Sequence, residues 1–310
     1  MRSTPGAAHL PPGLSGSTPR APVSRVDVRA GDGVRLALHR VHAGDATPVL
    51  FVPGTFSNST FWLGTRGAGF ARDVGTHGFD AWVLDPRGHG ASEMPAGTPS
   101  DWRFDDWGHD AAAVMERVFG VRGGFLVGHS AGGAALLVAL ARRPDLRDRV
   151  RGMILIGTPL PWLQPFSRIG ARAIRGMSRL FNRFPARALR LGPEDELPGV
   201  MSQWMTWNLT ARWIGDDGTD YCAALTDLHV PLLVVAAAAD RWAPPPACHA
   251  LLELVRTPDS TWLLCGRAAG FSRDFGHVDV LVGRAARAET WPLLRDWMTR
   301  RTPAGEGRHI

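Results

Sequence analysis

The chain of 310 residues contains no lysine, so arginine supplies all 35 of its basic residues. Against 29 acidic residues, these arginines give a formal net charge of +6 and an isoelectric point near 10.6. The arginines are scattered, and pairs such as Arg142-Arg143 and Arg300-Arg301 do not make the clustered basic patch that binds nucleic acid. We interpret the excess as codon composition and expect no nucleic-acid partner.

Cysteine is almost as scarce. Cys222, Cys248 and Cys265 are far apart and form no Cys-x-x-Cys or Cys/His pattern. This spacing argues against a disulfide framework or a zinc site, and we expect no metal and no cofactor. No apolar run approaches 18 residues, and the first 21 residues lack the apolar core of a signal peptide. We therefore expect a cytoplasmic protein without stable membrane insertion.

Short apolar runs recur along the chain, and from the third onward most are separated by stretches long enough for a helix. This alternation predicts an α/β fold with about eight strands in a mostly parallel sheet, covered by helices on both faces. The first two runs, joined by residues 30–33, predict an antiparallel hairpin at the sheet edge. The runs are Val26–Val28, Val34–Leu38, Val49–Val52, Ala81–Leu84, Phe125–Val127, Met153–Ile156, Leu232–Val235 and Thr261–Leu264.

Residues 160–221 break this alternation, with no strand pattern and two predicted helices, near 166–184 and 200–207. We interpret the segment as a helical cap over the carboxyl ends of the strands, where α/β folds bind ligands. The alternative is a pair of surface helices. The α/β core would then be residues 23–159 and 222–301, with a disordered tail at 1–22, a last helix near 288–300 and a C-terminal tail at 302–310.

Ser130 is the candidate nucleophile. It lies in Gly128-His129-Ser130-Ala131-Gly132, after the apolar run Phe125–Val127 and before the alanine- and leucine-rich stretch 134–140. Gly-x-Ser-x-Gly between a strand and a helix is typical of a nucleophile elbow, because flanking glycines avoid side-chain collisions in its tight turn. The alternative is an ordinary helix-capping serine.

A serine nucleophile needs a base, and the base needs an orienting carboxylate. Asp240 follows the strand at 232–235, and His277 follows the last strand, so both are predicted at the carboxyl edge of the sheet. Their order along the chain is Ser, acid, His, as this elbow requires. Asp279 and Asp274 remain reserve candidates for the acid, and no other histidine occupies the last loop before the final helix.

The mechanism also needs an oxyanion hole of fixed backbone N–H groups. One donor is predicted at Ala131, directly after the nucleophile. The other is predicted at Thr55 in Pro53-Gly54-Thr55-Phe56, after the strand at 49–52, with Phe56 as the fallback.

These motifs resemble the α/β-hydrolase superfamily over residues 47–298. The nearest likeness is to acid-lipase-like enzymes and related bacterial α/β-hydrolases. Residues Trp102 to Asp110 resemble the stretch before the elbow in those lipases, residues 276–283 resemble their histidine loop, and residues 197–207 are similar to the bacterial group's cap. Two departures are Pro53-Gly54, where the family usually has His-Gly, and Ala237, near which it commonly has glycine.

The sequence therefore predicts a serine esterase, lipase-like in type, acting on a small-molecule carboxylic ester or thioester with an apolar part. The same triad would also serve an acyltransferase or a hydrolase of peptide or carbon–carbon bonds, since the fold hosts many chemistries. A non-catalytic ligand-binding protein on the same scaffold is the alternative from another class. The oligomeric state is not predicted.

Overall fold

A computed structural model of the chain describes residues 22–41, 44, 46–94, 101–164, 167–180 and 183–303. Most of the two predicted tails, residues 1–21 and 304–310, lies outside the described residues, as do residues 166, 181 and 182 of the first predicted cap helix.

An eight-stranded sheet forms the centre of the molecule, as the apolar runs predict. Its order is β1-β2-β4-β3-β5-β6-β7-β8. The pairs β1–β2 and β2–β4 are antiparallel and the others are parallel, so the hairpin lies at one edge. The strands are β1 Val23–Arg29, β2 Arg35–Val41, β3 Thr47–Val52, β4 Phe79–Leu84, β5 Gly124–His129, β6 Val150–Ile156, β7 Leu232–Ala237 and β8 Ser260–Cys265.

Helices cover both faces of the sheet. The central strands β3, β4, β5 and β7 are buried along their whole length because apolar side chains on both of their faces meet helices. One apolar cluster joins the sheet to α3, α4 and α8, and a second joins the opposite face to α1, α2 and α9. The helices are α1 Thr60–Leu63, α2 Phe70–Thr76, α3 Phe104–Phe119, α4 Ala131–Arg142, α5 Arg168–Leu180, α6 Pro198–Thr210, α7 Tyr221–Leu225, α8 Pro245–Val255 and α9 Arg284–Thr299.

The segment between β6 and β7 contains the two expected cap helices, α5 and α6, which contact each other. Trp204, Trp207 and Trp213 are buried there and pack around Phe104 and Tyr221. The sequence pattern missed two short antiparallel bridges in this segment, Phe184 with Glu196 and Ile214 with Asp220. The cap limits at 160 and 221 stay a prediction.

Among the described residues, no helix is both long enough and apolar enough to cross a membrane.

Candidate active site

Ser130 occupies a strained turn between β5 and α4. Its backbone angles, φ 54° and ψ −125°, lie in a region that residues other than glycine rarely adopt. Two contacts hold the turn: the Ser130 amide donates to the carbonyl of Ile156 at 2.9 Å, and the Thr158 hydroxyl donates to the carbonyl of Ser130 at 3.0 Å. The end of β6 therefore fixes the backbone of the nucleophile candidate.

Glycine is required in this turn by close packing. A Cβ at Gly132 would lie 2.3 Å from the carbonyl oxygen of Val52 and 2.4 Å from that of Pro53. A Cβ at Gly128 would lie 2.4 Å from the Cα of Gly133. The elbow thus presses directly against the end of β3, which brings Ser130 to the loop after that strand.

His277 and Asp240 form a close pair, and His277 lines the same cavity as Ser130. The ring Nδ1 of His277 lies 2.7 Å from Oδ2 of Asp240. The other oxygen of Asp240 accepts the backbone N–H groups of Trp242 and Ala243 at 2.8 and 2.9 Å. Because an ionised carboxylate only accepts hydrogen bonds, Nδ1 of His277 carries the proton and donates to Asp240, which leaves Nε2 of a neutral ring as the free base.

The reserve acids do not contact the histidine ring. Asp279 accepts the Gly276 amide and pairs with Arg273 at 2.8 Å, whereas Asp274 accepts the Arg267 amide at 2.8 Å. Both carboxylates thus stabilise the loop that carries His277, and Asp240 is the one paired with the ring.

His129 is a second buried histidine beside the pair. Its Nε2 lies 2.9 Å from the carbonyl oxygen of His277, and its ring stacks on Phe61 with centroids 4.5 Å apart. Because a carbonyl only accepts, Nε2 of His129 carries the proton. Burial lowers the pKa of His129 well below its ordinary value, and repulsion from His277 when that ring is protonated lowers it further. His129 is therefore a neutral support for the histidine loop.

The predicted oxyanion donors lie on the same side of the site. A Cβ at Gly54 would lie 3.0 Å from Cβ of Ser130, so the loop after β3 runs directly beside the serine. Within the described residues, the amides of Thr55 and Ala131 have no protein acceptor. The Phe56 amide, by contrast, donates to Oε2 of Glu196 at 3.3 Å, so the cap already occupies it.

Ser130, His277, Thr55, Phe56 and Ala131 all line one cavity of about 490 Å³ under the cap. This volume is within the usual range for small-molecule sites. Asp240 lies behind His277 and does not line it. Most of the wall is apolar, with contributions from Phe61, Ile174, Phe184, Leu191, Met201, Trp204, Met205, Trp242 and Val278.

Sequence reasoning missed several residues that shape this site. Gly157, at φ 56°, leaves room for the pair, since a Cβ there would lie 3.2 Å from Nδ1 of His277. Glu194, Glu196 and His89 contact the loop after β3 or one another. These roles depend on contacts between distant segments, and no local motif marks them.

In the described part of the chain, no group of three or more His, Cys, Asp or Glu residues is placed to hold a metal ion.

Comparison with known proteins agrees with this architecture. A family model of the alpha/beta hydrolase fold matches residues 47–197. The bifunctional esterase/perhydrolase DCH of Acinetobacter calcoaceticus is 28% identical over 192 residues, covering 54% of this chain and 66% of that protein. The chain therefore spans just under two thirds of this relative's length.

The solved structures that are similar in fold include the following two. A thermophilic esterase from Thermogutta terrifontis has a TM-score of 0.64 and 21% identity, over 90% of this chain and 100% of that one. Alpha/beta hydrolase domain-containing protein 10 from mouse has a TM-score of 0.61 and 17% identity, over 90% and 100%. The eight-stranded sheet and the family match show that the chain has the α/β-hydrolase fold, and the two solved structures agree with this fold.

Proposed function

We propose that the protein is a serine hydrolase that cleaves carboxylic esters with an apolar part. The observation that carries the proposal is the pair of His277 and Asp240, 2.7 Å apart, in the same site as the strained Ser130. The esterase activity in the name of the Acinetobacter relative agrees with it.

In the proposed reaction, the Ser130 hydroxyl attacks the ester carbonyl while Nε2 of His277 takes its proton. Asp240 orients the imidazole and stabilises its positive charge. The amides of Thr55 and Ala131 donate to the oxygen of the tetrahedral intermediate. His277 then protonates the leaving alkoxide, and water, deprotonated by the same ring, releases the acid from the acyl-enzyme on Ser130.

The cavity wall supports an apolar acyl or alcohol group. Cap residues Met201, Trp204 and Met205 face the same space as Phe61, and burial of substrate carbon against them is favourable. A small-molecule ester is thus the proposed substrate class, and a thioester would fit the same chemistry.

The test is hydrolysis of p-nitrophenyl acetate, butyrate and octanoate by the wild type and by Ser130→Ala. We expect Ser130→Ala to lose at least about a thousandfold in kcat/KM, because the nucleophile is gone. Ser24→Ala, an exposed position on β1, is the matched control and should behave like the wild type. Hydrolysis that survives in Ser130→Ala would overturn the serine mechanism, and a wild type without hydrolysis would favour the ligand-binding alternative.

A further inference from the structure

A segment of the cap, Gly192–Glu196, forms hydrogen bonds with the backbone of Phe56 in the loop after β3. The Phe56 amide donates to the Glu196 carboxylate at 3.3 Å, and the Phe56 carbonyl accepts the amide of Glu194 at 3.1 Å. The side chain of Glu194 accepts the Asn58 side-chain amide at 2.6 Å and the Gly90 amide at 3.0 Å. Both polar groups of the Phe56 backbone are therefore held by the cap.

Phe56 needs such support because its own conformation is unfavourable. Its φ of 63° places a bulky residue in the left-handed region. Its ring stacks on Phe184 with centroids 5.6 Å apart, and Phe184 pairs through its backbone with Glu196. Gly192 fits so closely that a Cβ would lie 2.2 Å from the Phe56 carbonyl oxygen.

The Glu196 carboxylate is itself buried, which is costly unless its charge is compensated. One oxygen accepts the Leu197 amide at 3.0 Å, and the other lies 3.4 Å from Nε2 of the equally buried His89. Nδ1 of His89 donates to the Arg87 carbonyl at 3.0 Å. Burial lowers the pKa of His89, whereas the negative charges of Glu196 and Glu194 raise it. The charges have the larger combined effect, so the pKa of His89 is raised overall. The His89 ring is thus placed to balance the charge of Glu196.

We propose that Glu196, held by His89, is a positioning residue that fixes the Phe56 peptide so that the neighbouring Thr55 amide is the second oxyanion donor. The inference rests on the proposed ester hydrolysis. Without Glu196, the Phe56 amide lacks its acceptor and the strained peptide is free to rotate. The Thr55 amide then spends less time aimed at the oxyanion, and catalysis falls without a matching loss of ground-state binding.

The experiment compares Glu196→Ala, Glu196→Gln and the control Asp105→Asn. Asp105 is also a buried carboxylate that ties the cap to the core, through the Tyr221 hydroxyl at 2.7 Å and the Asp216 amide at 2.8 Å, but it does not line the cavity. We expect Glu196→Ala to lower kcat for p-nitrophenyl butyrate roughly 30- to 300-fold with KM changed less than about threefold. Glu196→Gln keeps an acceptor for the Phe56 amide and should recover most of kcat.

Binding of butylboronic acid gives a second readout, because its tetrahedral adduct with Ser130 places an oxygen in the hole. Its affinity should fall with kcat in Glu196→Ala but not in Asp105→Asn. If Glu196→Ala does not fold, the double variant His89→Leu/Glu196→Leu replaces the pair with apolar groups of similar size, which proteins often tolerate. It should fold and show the same kcat loss.

An unchanged kcat in a folded Glu196→Ala or double variant would overturn the inference. A kcat loss equal to that of Asp105→Asn would do the same. A wild type without Ser130-dependent hydrolysis would instead overturn the proposed function. In that case a crystal structure of the double variant still tests whether Glu196 fixes the Phe56 peptide. A Phe56 peptide in its wild-type position would contradict this role.

Discussion

One carboxylate oxygen of Asp240 pairs with the ring of His277, and the other accepts hydrogen bonds from two backbone amides. Both oxygens of the carboxylate are therefore fixed in position. A side chain held this way selects one histidine tautomer, the one that leaves Nε2 free. The carboxylate of Asp279 contacts only the loop and Arg273. The two acids therefore have separable roles.

Asp240→Asn should lower kcat roughly ten-thousandfold, because the amide favours the wrong tautomer and cannot stabilise the imidazolium. Asp279→Asn, the matched control, should lower the melting temperature with a kcat within about tenfold of the wild type. The measurement is steady-state hydrolysis at pH 8 with melting curves for both variants. Equal kcat losses in the two variants would contradict the assignment of Asp240.

His129 predicts a dependence of stability on pH. Its pKa is lower in the folded protein than in the unfolded chain, mainly because of burial, so the unfolded chain binds the proton more readily. His129 therefore costs no stability above about pH 6.5, and stability falls as the pH drops below that value, by up to about 1.4 kcal/mol per pH unit.

Urea unfolding of the wild type and His129→Gln between pH 5 and pH 7.5 measures this effect. The difference in unfolding free energy between the two should shift in favour of the variant as the pH falls. A difference that stays constant over this range would show that His129 does not titrate on unfolding.

The placement of Ser130, Asp240 and His277 at one edge of the sheet was predictable from the sequence, because each follows a recognisable strand and parallel strands end at one edge. Their catalytic roles stay a prediction. The sequence was not sufficient for Glu196 or His89. Their contacts join residues 107 positions apart, and nothing near either residue marks the other. The backbone conformation of Phe56 was not predictable either. A phenylalanine at φ 63° contradicts the backbone preference of the residue, and contacts from the distant residues Glu194 and Glu196 hold it there.

At the scale of elements, the elbow depends on small residues where β5, α4 and the end of β3 meet. Gly132→Ala would place a methyl group within 2.4 Å of two backbone carbonyl oxygens that cannot move without disturbing β3. We expect it to cost at least about 1–3 kcal/mol of stability and to lower activity with it. Gly31→Ala is the control, because nothing lies within 4 Å of its added Cβ.

Urea unfolding of both glycine variants provides the measurement, with Gly31→Ala expected within about 0.5 kcal/mol of the wild type. A Gly132→Ala protein as stable as the wild type would show that the elbow has more room than its contacts indicate.

All eight strands were predictable from the sequence. The inner strands β3 to β7 contain continuous apolar runs, and the more exposed edge strands β1 and β8 keep shorter apolar stretches. Helix ends were less accurate. The final helix begins at Arg284, four residues before the expected start, because Gly283 ends the preceding loop and the only apolar residues of the first turn are the two small alanines Ala285 and Ala286. The bridge of Phe184 with Glu196 was missed because a single pair of residues leaves no alternating pattern.

At the scale of the molecule, the cap closes the cavity with side chains from α5 and α6. Ile174 lies on α5 and lines the cavity, whereas Ile169, on the same helix, is 80% exposed. Ile174→Trp should shorten the apolar space and lower kcat/KM for p-nitrophenyl octanoate about tenfold more than for the acetate. Ile169→Trp should leave the ratio unchanged. The ratio of the two kcat/KM values is the readout, and an unaltered ratio in Ile174→Trp would place the acyl chain elsewhere.

Covalent labelling tests the central claim, that Ser130 is a nucleophile activated by His277, most directly. Intact-mass and peptide mass spectrometry after reaction with a fluorophosphonate should show one adduct per chain, located on Ser130. The adduct should be absent in Ser130→Ala and form far more slowly in His277→Ala. An unlabelled wild type, or an adduct on another residue, would contradict the claim.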